Sequence, residues 1–143
     1  MTIHPVPWIM LRIVYAWLYL YPLMTLLKNW QTTVATTALL FTKHAQQCAR
    51  VSVVVMVIGA ISILFGIYAR IGGILLLFFN LGGAYIHYRL ADQAEGFAAE
   101  GNTTLVNLAM VGNVSSAQKN FVLAAVAFFF MVQGSGPWSI AVM

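Results

Sequence analysis

Six side chains in this sequence are of types that rarely sit inside apolar runs: Arg12, Tyr15, Tyr19, Arg70, Asn80 and His87. A guanidinium offers a planar fork of donors that matches an anionic or carbonyl-bearing group. A phenol hydroxyl both donates and accepts, and an imidazole changes charge near neutral pH. Arg12, Tyr15 and Tyr19 recur three to seven residues apart, which places them on one helix face. A charged side chain at the centre of a membrane span costs about 2.5–3.5 kcal/mol on insertion scales, so each such group needs a partner or a task. The expectation is a ligand-binding set in which Arg12 and Arg70 grip a polar head. Tyr15 and Tyr19 would line its pocket, and Asn80 and His87 would support the interior. The simpler alternative makes both arginines interfacial anchors and His87 part of an aromatic belt with Tyr85 and Tyr88.

Other chemistries find little purchase. The histidines are His4, His44 and His87, with no HxxxH or HxxE spacing, so no metal or haem site is expected. Cys48 is the single cysteine, which excludes a disulfide or a paired-thiol centre. Asp92, Glu95 and Glu100 all lie in one polar connection, so an intramembrane carboxylate relay is not expected. The basic residues are scattered singly, so the net charge of +4 does not point to nucleic acid.

The elements that must position the six residues follow from hydropathy. The 143 residues are 62% hydrophobic and 7% charged, too apolar for a soluble globule. A helix needs roughly 20 apolar residues to cross the hydrocarbon core. Trp8–Leu27, Val51–Ala69 and Ile71–Leu90 qualify, and a fourth run, about 115–133, starts polar and becomes apolar at Phe121. The fold class is therefore all-α, an integral membrane four-helix antiparallel bundle forming a single domain over 1–143. The first run lacks a cleavage pattern and is expected to stay as a helix kinked at Pro22.

Each run carries a stripe of small and polar residues that should face inward, such as Met56, Gly59 and Ser62 on the second and Gly73, Asn80 and Ala84 on the third. Asn80, far from either end of its run, is expected to bond another helix. The segment Asn29–Cys48 reads as a short interfacial helix preceded by a threonine cap, Thr36 or Thr37. The apolar island Leu105–Val111 is expected to fold back as a lid. Four antiparallel crossings put Arg12, Arg70 and the tail Gly134–Trp138 at one membrane face, with His87 toward the other. Lys28, Lys43, Arg50, Arg89 and Lys119 outnumber the two arginines of that first face, which favours both termini outside the cytoplasm.

The stretches "GIYARIGG", "HYRLAD" and "GSGPWSI" carry a family likeness. The chain resembles the DoxX family of small bacterial inner-membrane proteins. The shared features are Arg12, the Gly-x-x-x-Arg pattern of Gly66 and Arg70, His87, and the closing Gly134, Gly136 and Ser139. Lys119 and Asn120 also resemble certain members. The resemblance implies an accessory or quinone- or lipid-interacting subunit of a membrane oxidoreductase. Characterised relatives are subunits of thiosulfate:quinone oxidoreductase and terminal quinol oxidase assemblies, or partners of proteins handling thiol stress. No intrinsic cofactor is implied beyond a bound quinone or lipid, and the implied partners are membrane lipid and other oxidoreductase subunits. The alternative reading is a purely structural subunit or assembly factor, and a small transporter ranks below both. Leu20 and Leu23 stand where many members have Gly and Lys, Met56 where many have a glutamate, and Ile140 where an aspartate is common. The resemblance therefore does not imply an activity that depends on those charges.

Overall fold

The computed structural model describes residues 5–96 and 103–140. Its helices are α1 Pro5–Leu20, α2 Leu23–Lys28, α3 Trp30–Ala38, α4 Ala45–Phe65, α5 Ala69–Gly96 and α6 Thr103–Gln133. Four stretches are long and apolar enough to cross a membrane: Pro5–Lys28, Ala45–Phe65, Ala69–Ala94 and Thr103–Gln133. The protein is thus an all-α membrane bundle. His4 and Glu100 lie outside the described residues.

The first crossing is broken where proline requires it. α1 ends at Leu20, a turn covers Tyr21 and Pro22, and α2 restarts with Leu26 N donating to Pro22 O at 3.0 Å. Proline has no N–H to continue the α1 ladder and its ring crowds the preceding turn. α3 is the expected short helix, but Thr36 and Thr37 are not its cap. Both lie in its last turns, and their hydroxyls donate back to carbonyls one turn earlier. Asn29 precedes α3 without a side-chain cap bond.

α4 stops at Phe65 because Gly66 takes the left-handed conformation, φ +69°. Gly66 N donates to Ile63 O and Ile67 N to Ser62 O, closing two of the helix's last carbonyls. A β-carbon on Gly66 would also come within 2.7 Å of Ser139 Cβ. Arg70 consequently sits in the first turn of α5 rather than between helices. α6 corrects a second expectation. The island Leu105–Val111 is not a lid but the start of one helix running from Thr103. That sequence holds no proline and a single glycine, Gly112, so nothing in it ends the helix.

α5 packs most extensively against α6, and α4 lies between α5 and α1. The α5–α6 approach is close enough that a β-carbon on Gly73 would sit 2.5 Å from Met131 N. The core between the helices holds Tyr15, Met56, Ile63, Leu76, Ala127 and Phe130. The side chains facing away are large and apolar, including Met10, Trp17, Phe78 and Val122, as lipid contact requires.

Candidate functional site

At the end where α4 turns into α5, Arg12 satisfies the backbone around it, while Ser139 Oγ is buried there without a hydrogen-bond partner among the described residues. Arg12 is buried at 6% exposure. Its Nε donates to Ile63 O at 3.0 Å, its Nη2 to Leu64 O at 2.7 Å and its Nη1 to Trp138 O at 3.2 Å. The guanidinium therefore caps the C-terminus of α4, where carbonyls lack helical partners and the helix dipole favours a cation. The tail is held by the same cluster: Ile140 N donates to Phe65 O at 3.3 Å. Gly136, at φ +70°, leaves room for the Trp8 indole, whose nearest atom would be 2.4 Å from a β-carbon there. Trp8 stacks on Phe129 with ring centroids 5.0 Å apart.

Arg70 reaches the same end in another setting. It is exposed, lies beside Gly134 past the end of α6, and makes no hydrogen bond or ion pair among the described residues. The structure brings the arginines to one face, as topology requires, but it does not pair them as a fork around one ligand. Arg12 turns inward onto backbone and Arg70 turns outward.

Tyr15, Tyr19 and Asn80 form a closed chain between α1, α5 and α6. Asn80 is fully buried, and its Nδ2 donates to Leu76 O at 2.6 Å and to Tyr19 Oη at 2.8 Å. Tyr19 Oη lies 2.9 Å from Tyr15 Oη, which donates to Leu123 O at 2.7 Å. The Leu76 carbonyl fixes the amide orientation, because an oxygen in the Nδ2 position would face another oxygen. Protons then run one way, from Asn80 through Tyr19 and Tyr15 to Leu123. These three residues bind helices to one another; no hydroxyl is left pointing into open space.

The open space lies elsewhere. A cavity of about 800 Å³ is walled by α2, α3, the start of α4 and the lower length of α5. Its volume falls within the roughly 300–1,000 Å³ typical of small-molecule sites. Of the six expected residues only His87 lines it. Leu75 and Leu90 both touch it, so it runs about 22 Å along α5 at 1.5 Å per residue. One wall is hydroxylated: Thr32, Thr33, Thr36 and Thr37 of α3 all line it. The opposite wall is left low by Gly82. A β-carbon on Gly82 would already come within 3.3 Å of Leu40 Cδ2. His87 Nδ1 lies 2.9 Å from Asn113 Oδ1 on α6. Among the described residues no group of three metal-ligating side chains exists.

Charge was the guide to the site in the sequence, and the described cavity lining has no lysine, arginine, aspartate or glutamate. The usable signal was the repeat of threonines at 32, 33, 36 and 37, which a helix gathers on one side. Facing it in space, though 45 residues or more further along the chain, is Gly82, which puts no side chain on the cavity wall; Gly83 also borders the cavity, but its missing side chain faces Asn120 of α6.

Comparison with known proteins gives one match. The family model described as DoxX fits residues 8–89, more than half of the chain, from Trp8 through the α5 segment that carries His87 and Arg89. No curated protein and no solved structure matches the chain.

Proposed function

The chain belongs to the DoxX family, and from that premise we propose that it is an accessory membrane subunit that holds a quinone or other lipid for a membrane oxidoreductase system. The single observation carrying this reading is the 800 Å³ cavity between α3, α4 and α5. It is long, mostly apolar and polar at one end, which suits an amphiphile better than a soluble metabolite. His87 would contact the head group. Arg12, Tyr15, Tyr19 and Asn80 would act indirectly, by holding α1, α4, α5 and α6 in the register that keeps the cavity open.

Nothing among the described side chains carries an electron alone, so any redox step would use the bound quinone or a partner's centre. The bacterial inner membrane, with both termini outside the cytoplasm, remains part of the proposal. The test is extraction in a mild detergent followed by mass spectrometry of the retained small molecules and proteins. A stoichiometric quinone or lipid in the wild type, lost in a correctly folded Gly82→Phe variant, supports the reading. Equal retention by both proteins would move the function to an external surface and favour a structural or assembly role.

A further inference from the structure

The hydrogen-bond polarity at His87 and the α3 threonines selects among the neutral amphiphiles whose head could lie there, an inference that rests on the cavity being the binding site. Thr33, Thr36 and Thr37 each have one hydroxyl proton, and each directs it at a backbone carbonyl. Thr33 donates to Leu26 O at 3.0 Å, Thr36 to Thr32 O at 3.0 Å and Thr37 to Thr33 O at 2.7 Å. What these oxygens keep is lone pairs, so they can only accept from a ligand.

His87 is held in the same sense. Asn113 Nδ2 donates to Ala109 O at 2.9 Å, which turns its Oδ1 toward His87 Nδ1 at 2.9 Å. An oxygen there requires the proton on Nδ1, so in the neutral imidazole Nε2 is an acceptor. The described lining also includes Thr25, Asn29, Thr32, Gln47 and Ser52, whose side chains can donate, and no lysine, arginine, aspartate or glutamate is among the described lining residues. An anionic head would lack a counter-charge among these residues, and a carbonyl placed against His87 Nε2 and the oxygens of Thr33, Thr36 and Thr37 would face acceptors with an acceptor.

We propose that the cavity takes a neutral, single-chain lipid whose head carries a hydroxyl donor, accepted by His87 Nε2 and the α3 threonine oxygens, with the chain lying along α5 toward Leu75. The about 22 Å run of the cavity along that helix accommodates one extended chain. His87 contributes an acceptor fixed by Asn113, which acts here as a positioning residue.

A matched pair of probes tests this: hexadecanol and its methyl ether, titrated against the delipidated full chain in mild detergent and scored by native mass spectrometry. The two differ in the donor and little else. The wild type should bind the alcohol about fivefold to tenfold more tightly, the worth of one net hydrogen bond. His87→Leu should bring that ratio close to one, and so should Asn113→Leu, which lies at a half-buried site on α6 and keeps the test readable if His87→Leu disturbs folding. Gly82→Phe should abolish binding of both probes while helicity is kept. Equal affinity of the wild type for alcohol and ether overturns the donor assignment and leaves the cavity reading standing. A preference that survives both the His87 and Asn113 substitutions removes His87 from the head-group site. Binding of neither probe by folded wild type sinks the cavity reading itself.

Discussion

At the end where α4 meets α5, Arg12, the Ile63, Leu64 and Trp138 carbonyls, Trp8 and Gly136 are all matched within the chain. At the other end, the α3 threonines and His87 turn unmatched lone pairs toward a cavity. The contrast runs against the usual weighting of charge. The residue most expensive to place in lipid does structural work, and the residues that look merely polar border the space a ligand can enter. A buried charge is tolerated in a membrane when backbone satisfies it, and once satisfied it has little left to offer a ligand.

Substitutions can break that comparison, and the largest effect is expected at the closed end. Arg12→Ala leaves three carbonyls without their donor and should lower stability by about 3 kcal/mol, read as a lower melting temperature in mild detergent. Gly136→Ala comes next, at about 2 kcal/mol, because it combines a left-handed backbone with a collision against the Trp8 indole. Asn80→Leu removes interhelical bonds inside the bundle, worth about 1 kcal/mol in total by the same melting assay.

Two smaller effects sharpen the contrast. Gly82→Phe at the open end should change stability by no more than about 0.5 kcal/mol while emptying the cavity of retained lipid. Arg70→Ala should be the mildest for stability, within about 0.5 kcal/mol, since the side chain is exposed and adds only a screened charge near the end of α6. A loss at Arg70 equal to that at Arg12 would mean that the two arginines act together, and the division drawn between the ends would fail.

Much of the fold was legible because lipid imposes strict rules. Twenty-residue apolar runs gave the crossings, Pro22 gave the break, and the inward stripe found Met56, Gly59, Asn80 and Ala84. Helix ends were less legible. α4 begins at Ala45 and α6 at Thr103 because helix propensity continues past the point where hydropathy falls. The partners of Arg12 could not be read, since backbone carbonyls leave no trace in residue types. The cavity was hidden for a related reason: an absence of volume at Gly82 becomes a pocket only once α3 is placed opposite.

The bond from Arg12 to the Trp138 carbonyl spans 126 positions of chain. During synthesis the first span must therefore enter the bilayer well before its last acceptor has been made. Until then the guanidinium has to be hydrated, shielded by lipid phosphates or held by the insertion machinery. The residues around Trp138 thus act as a latch, and a chain cut short just before Trp138 would keep these four crossings with one end still unfastened.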